Sequence, residues 1–299
     1  MKIDKVIFSS SEEYSDFWNI QSKVFAEGLG IEPICLLWGR KENTNMHEKY
    51  GTIREMEFIP YFPEVLQITW SKFHYVREEP DTTWLIGDID QIPLQKDWFI
   101  KQIEDCDDDM YLHLNASGCG QPYGLPKDRW EKVGSTTMVK GGIDLPGHYH
   151  VAKGSTFAKA YDPDMKFQQQ LEFIIGSQRY GGGAATPCGH PGRENYTTHH
   201  PFEEEYYWTA EEMYSSEKLW NACNEGDIKF KGFYYCNKTE RVDRGLWDEE
   251  HDDYRYSFDN FKKGKIVDIH CMRPFEKYKD QTLRIVYNSG ILGDAHEDR

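Results

Sequence analysis

Runs of apolar residues and polar breaks along the first third of the chain resolve into alternating strands and helices. Lys5-Val-Ile-Phe-Ser9 reads as a short buried strand, and Ser9-Ser10-Ser11 followed by Glu12-Glu13 has the polar-then-acidic order of a helix N-terminus. Apolar positions at Phe17, Ile20, Val24 and Phe25 predict a helix that runs to Gly28 and Gly30. Ile34 to Trp38 resumes as a second apolar strand, and Ile53 to Ile59 predicts a third. Beyond Pro60 and Pro63, the spacing of Val65, Leu66, Ile68, Trp70, Phe73 and Val76 predicts a second helix ending near Pro80. Thr83-Trp-Leu-Ile-Gly87 is then a buried strand that stops at Asp88-Ile89-Asp90. Strand, helix, strand in succession implies parallel strands joined by crossover helices, hence an α/β fold.

Further along, Met110 to Leu114 predicts another strand and Phe167 to Gly176 another helix. Between Gln178 and His200 the pattern stops: three consecutive glycines, two prolines and almost no aliphatic periodicity predict a long loop, either a lid over a site or a surface insertion. With 299 residues the chain reads as one domain, divided into a first half (1–114), a second half (115–275) and a C-terminal tail (276–299).

Two carboxylates at the end of a sheet strand stand where open α/β sheets bind ligands. Alternation along an extended segment would point Asp88 and Asp90 the same way and turn Ile89 to the core. Such a pair makes a hard-oxygen site for Mn²⁺ or Mg²⁺, with a diphosphate supplying further oxygens. A bare Asp-x-Asp is a weak signal in a chain with 51 acidic residues, and its position behind an apolar strand gives it weight.

Charge and composition narrow the partners. The net charge of −16 repels phosphate backbones and disfavours nucleic acid. Aromatic residues make up 15% of the chain, with nine Trp and nineteen Tyr, which suits a sugar-stacking cleft as well as an aromatic-rich core. Seven cysteines with no CxxC pair suggest free thiols in a reducing compartment, and His148-Tyr-His150, Cys188-Gly-His190 and His199-His200 match no ordinary zinc spacing. No stretch approaches the roughly 20 apolar residues of a membrane span, so a soluble, cytoplasmic protein is expected. The sequence leaves the oligomeric state open.

The run from Trp70 to Leu94, WSKFHYVREEPDTTWLIGDIDQIPL, resembles the GT-A glycosyltransferases, in which a nucleotide-binding strand, loop and helix precede an apolar strand ending in Asp-x-Asp. The resemblance covers the strand order from Lys5 to about Leu114. It implies a single GT-A-like (Rossmann-like) catalytic domain, with a mixed, mostly parallel central sheet flanked by helices and a C-terminal extension, and metal binding by Asp88 and Asp90. It also implies donor contacts from Phe8, Ser9, Ser10, Ser11 and Lys72. Ile266 to Phe275, IVDIHCMRPF, is similar to the strand end by which glycogenin-like transferases complete the metal site with a histidine. That likeness implies His270 as a third ligand. The usual Gly and Lys-Pro-Trp run is missing here, and Arg273 takes the lysine's place as a diphosphate clamp. The stretch from Gly147 to Phe157 resembles the strand and Gly-polar turn that line the cleft in many such enzymes, implying acceptor contacts from His148, His150, Lys153, Ser155 and Thr156. A helix cap is the competing reading for Ser155.

The function these residues imply is a metal-dependent transfer of sugar from a nucleotide-diphosphate donor, UDP- or GDP-linked, to a hydroxyl of a glycan or other acceptor. An inverting enzyme needs a base, and Glu203, Glu204 or Glu205 in Phe202-Glu-Glu-Glu-Tyr206 could supply it; a retaining one does not. Both stereochemistries stay open. The alternatives are a sugar-nucleotide nucleotidyltransferase, disfavoured because Phe8 to Glu12 has neither glycine nor lysine, and a non-enzymatic, metal-dependent carbohydrate-binding protein.

Overall fold

The computed structural model describes residues 1–115, 130–133, 136–139, 147–176, 210–234, 240–242 and 266–293. In chain order the strands are β1 (Lys5–Ser11), β2 (Glu32–Trp38), β3 (Thr52–Met56), β4 (Thr83–Ile86), β5 (Gln91–Pro93) and β6 (Met110–Asn115). They are followed by β7 (Trp130–Val133), β8 (Thr136–Val139), β9 (His150–Lys153), β10 (Lys229–Tyr234), β11 (Glu240–Val242) and β12 (Ile266–His270). The α-helices are α1 (Trp18–Lys23), α2 (Glu64–Tyr75), α3 (Lys96–Phe99), α4 (Gly154–Ala160), α5 (Phe167–Gly176), α6 (Ala210–Glu225) and α7 (Phe275–Ser289).

A seven-stranded sheet in the order β10-β6-β9-β4-β1-β2-β3 forms the centre. Strands β4, β1, β2 and β3 run parallel, as does β10 beside β6, and β9 lies antiparallel between β4 and β6. The fold class is therefore α/β, as the periodicity predicts, with the mixed, mostly parallel sheet that the resemblance implies. Because side chains alternate across a strand, β1 and β2 feed two cores. Val6, Phe8, Cys35 and Leu37 join the core under α1 and α7, while Ile7, Ile34 and Leu36 join the core under α2 and α6.

Several boundaries differ from expectation. The first helical segment is composite, with a 3₁₀ turn from Glu12, then α1, then a π turn from Val24 to Leu29 closed by left-handed Gly30. The third strand stops at Met56, and α2 ends at Tyr75 before a short 3₁₀ turn reaching Glu78. Residues 276–289 are not a tail: α7 packs through Ile285 and Val286 in the core, and Phe275 meets Phe17 edge-on at 5.0 Å. Strands from before and after residue 114 share one sheet, so that position is no structural division. The expected loop from Gln178 to His200 lies outside the described residues.

A second sheet, β11-β12-β5, positions the site. β12 pairs antiparallel with β5, setting Asp268 opposite Pro93 and His270 opposite Gln91. The backbone N–H of Cys271 donates to Asp90 O at 2.8 Å, which ties the end of β12 to the aspartate turn. Among the described residues no helix is long and apolar enough to cross a membrane.

Candidate active site

β4 ends at Ile86, and Gly87 to Asp90 form a turn closed by Gln91 N–H donating to Asp88 O at 3.2 Å before β5 begins. The two aspartates thus stand on a turn and not, as alternation suggested, on an extended segment; Ile89 is buried in the core as expected. Gly87 makes the turn compatible with the core beneath it. A Cβ there would sit 2.5 Å from Phe8 Cε1, closer than carbon atoms approach.

Each carboxylate is met by a cation. Lys72, on α2 and only 3% exposed, pairs its Nζ with Asp88 Oδ1. Gln91 Nε2 donates to Asp88 Oδ2 at 3.3 Å, and His148 Nδ1 stands 3.5 Å from the same oxygen. Burial pushes the Asp88 carboxyl up, but the Lys72 ammonium and His148 outweigh it and hold the group well below the usual carboxylate range. Asp90 is buried, and Arg273 Nε and Nη2 donate to its Oδ2 at 2.9 and 2.6 Å. The Arg273 guanidinium also lies over the Tyr14 ring, 4.2 Å from its centroid, and Nη1 donates to the Tyr14 hydroxyl at 3.1 Å. His270 Nε2 is 3.7 Å from Asp90 Oδ2.

Asp88, Asp90, His148, His270, Lys72 and Arg273 therefore converge on one turn at the carboxyl edge of the parallel strands. The other expected contacts differ from expectation. Phe8, Ser9, Ser10 and Ser11 are not a loop: they continue β1 past its pairing with Ile86 to the same carboxyl edge, paired with β2 through Ser11 and Trp38. Phe8 is fully buried against Trp18 and Phe25, and Ser9 and Ser10 are buried as well. His148 and His150 diverge because Tyr149 between them adopts a left-handed backbone (φ 59°), which breaks strand alternation. His150 turns into the core, where its Nδ1 meets the Tyr111 hydroxyl at 2.8 Å, and is inaccessible to an acceptor.

Lys153, Ser155 and Thr156 are at the wrong end of the sheet. β9 is antiparallel to β4, so His150 faces Ile86 near the aspartates while Lys153 faces Thr83 at the far edge. There Lys153 Nζ pairs with Asp108 at 3.4 Å, Ser155 N–H donates to Pro80 O at 2.9 Å, and Thr156 is buried. Nor does Ser155 cap α4, whose N-cap is Lys153. Glu203, Glu204 and Glu205 lie outside the described residues. A concavity of about 520 Å³ lined by Met1, Leu29, Ile103 and Asp108 opens at that same far edge and does not enter the site.

Glu211, in the first turn of α6, escapes the sequence reading. It is buried beside Thr69, Lys72 and Asp88, and a Cβ on Gly147 would lie 3.2 Å from its Oε1. Burial raises its carboxyl to about 7, against the pull of the Lys72 charge. The neighbouring Glu212 accepts the Gly147 N–H at 3.0 Å, which ties the start of α6 to the segment carrying His148. The only sequence signal was two glutamates at a helix start, which Glu203 to Glu205 displayed equally.

The two carboxylates of the turn, with the His270 imidazole at the end of β12, suit Mn²⁺ or Mg²⁺ in donor type. Among the described residues no three Asp, Glu, His or Cys side chains surround a point closely enough to hold an ion by themselves. Asp88, Asp90 and His270 would therefore need further oxygens from a bound group to complete the coordination of such an ion.

No family model and no curated protein matches the chain. Among solved structures, it is similar to the galactosyltransferase LgtC in complex with donor and acceptor sugar analogues, at 14% identity over 98% of both chains with a TM-score of 0.46. It is also similar to an active-site mutant of LgtC, at 13% identity over 94% of this chain and 95% of that one, TM-score 0.44. A third likeness is to the bifunctional glycosyltransferase WbbM, at 11% identity and TM-score 0.45, where 96% of this chain spans 50% of the other. Superpositions this loose carry no weight for function, and the site's own geometry has to supply the argument.

Proposed function

We propose that this protein is a metal-dependent glycosyltransferase that moves a sugar from a UDP- or GDP-linked donor to a hydroxyl of a glycan or related acceptor. The observation that carries the reading is the meeting of Asp88, Asp90 and His270 with the cations Lys72 and Arg273 on one turn at the carboxyl edge of the sheet. Two carboxylates balance two cations, so the turn has little net charge to attract an ion alone. With a divalent ion added, two positive charges remain for a diphosphate. Asp88, Asp90 and His270 would hold the ion, which when bound stabilises charge on the departing diphosphate.

The chain's own residues divide the rest of the work. Arg273, whose fork can turn from Asp90 to phosphate oxygens, and Lys72 bind the diphosphate. Tyr14 keeps the guanidinium over its ring and so limits where the fork can swing. Glu211 is poised near neutrality beside Asp88. It is suited to take the acceptor hydroxyl proton as that oxygen attacks the anomeric carbon and the bond to the diphosphate breaks, if the reaction inverts configuration.

A thermal-shift panel of nucleotide diphosphates with and without Mn²⁺ tests this. UDP or GDP with Mn²⁺ should raise the Tm, and EDTA should remove most of the rise. Ligand at about a hundred times its Kd adds about 2.7 kcal/mol to the folded state. No shift with either nucleotide at millimolar concentration, or stabilisation by free glycans alone, would refute the reading, and the second result would favour a carbohydrate-binding protein.

A further inference from the structure

Behind the aspartate turn lies a buried chain of polar groups that the proposed reaction does not use. Arg241, in β11, is buried; its Nη1 stands 3.2 Å from His148 Nε2, and its Nε stands 3.7 Å from Oδ2 of Asp268, itself fully buried in β12. A guanidinium has N–H donors and no acceptor, so the contact with His148 is a hydrogen bond only when Nε2 carries the lone pair. The ring proton then resides on Nδ1, which faces Asp88 Oδ2 at 3.5 Å.

The opposite tautomer would aim an N–H at the guanidinium and a lone pair at the carboxylate. It would keep one neutral bond, from Gln91 Nε2 at 3.2 Å. Charge-assisted hydrogen bonds are roughly twice as strong as neutral ones, so two of them against one neutral bond settle the choice for Nδ1–H. In that form His148 and Gln91 are two donors sharing Asp88 Oδ2, while Lys72 holds Oδ1.

We propose that Arg241 is a positioning residue: it fixes the tautomer of His148 and thereby holds Asp88 in the single orientation that presents it to a cation-bound diphosphate. The inference rests on reading the Asp88/Asp90 turn as a metal–nucleotide site. Its physical content is that one buried cation, in β11 behind the turn, decides where the proton of the imidazole lies.

The experiment uses the full chain labelled with ¹⁵N-histidine at one neutral pH. In the wild type, His148 should show a protonated Nδ1 and a bare Nε2; a protonated Nε2 overturns the proposal without any variant. Arg241→Met combined with Asp268→Asn, so that no carboxylate is left buried without its counter-ion, should mix or invert the signature, and Arg241→Lys should largely preserve it. Titrated with Mn²⁺ and whichever of UDP and GDP the wild type binds, the paired variant should bind about tenfold more weakly. In a His148→Asn background, where the amide nitrogen takes the place of Nδ1–H, the same pair of changes should cost almost nothing. A paired variant that melts cooperatively yet keeps the wild-type signature and affinity overturns the proposal. Failure of the wild type to bind either UDP or GDP with Mn²⁺ would sink the nucleotide reading instead, and the tautomer signature would still decide the role of Arg241.

Discussion

Replacing Gly87 by alanine adds one methyl group at the most crowded point beneath the aspartate turn. The new Cβ would lie 2.5 Å from Phe8 Cε1 and 3.1 Å from Cδ1, where carbon atoms ordinarily stop at about 3.5 to 4.0 Å. Phe8 cannot simply retreat: it is fully buried, edge-on to Trp18 at 6.3 Å and to Phe25 at 5.2 Å. Overpacking of this kind costs about 1–3 kcal/mol. Against it stands the loss of unfolded-chain freedom, which favours alanine by about 0.4–1 kcal/mol where the backbone is not left-handed. The clash wins, leaving a net loss of about 1–2 kcal/mol, or a fall in Tm of about 2–3 °C for a domain of this size. Circular dichroism melts and urea titrations with unchanged m-value would measure it. Adding Phe8→Leu should recover part of the loss, so the double variant should be more stable than the two single effects summed, by about 0.5 kcal/mol or more. A Gly87→Ala protein that melts at or above the wild type, or strict additivity with Phe8→Leu, would refute the account of how the turn is seated.

Asp90→Asn should cut metal-dependent transfer by about a hundredfold, because it removes one of few anionic ligands. Since Asp90 is buried and receives two bonds from Arg273, the same change should also lower the Tm; full transfer at limiting Mn²⁺ would disprove the metal assignment. Glu211 gives a pH signature. Its folded pKa, about 7, is raised above the ordinary value of 4.5, so the folded state holds the proton more tightly than the unfolded chain. Its contribution is fully present below pH 4.5 and is lost as pH rises through 7. Glu211→Gln should therefore stabilise the protein at pH 8, by about 1–3 kcal/mol, and leave it unchanged at pH 4; equal shifts at both would show that burial does not raise this group.

Local pattern fixed a good deal. The apolar runs at Lys5 to Ser9, Ile34 to Trp38 and Thr83 to Gly87 are strands because each is short, apolar on both faces and bounded by polar breaks, and the structure buries both faces of each. Asp88 and Asp90 were legible because they interrupt such a run, and His270 and Arg273 because of the family likeness around them. Periodicity reports which face a residue takes but not which way its strand runs or what lies beside it. Lys153, Ser155 and Thr156 therefore looked like cleft residues until the antiparallel course of β9 carried them to the far edge. The serines after Phe8 looked like a loop because polar residues usually leave a sheet, whereas pairing with β2 keeps them in it. Glu211 and Arg241 had no local signal. One is a glutamate at a helix start and the other a lone arginine in a short strand, and each acquires meaning only when the fold buries it against Asp88 or His148. The sequence determined the elements and the turn that holds the acids; the tertiary structure decided which charges face them, because burial and strand direction depend on residues far away in the chain.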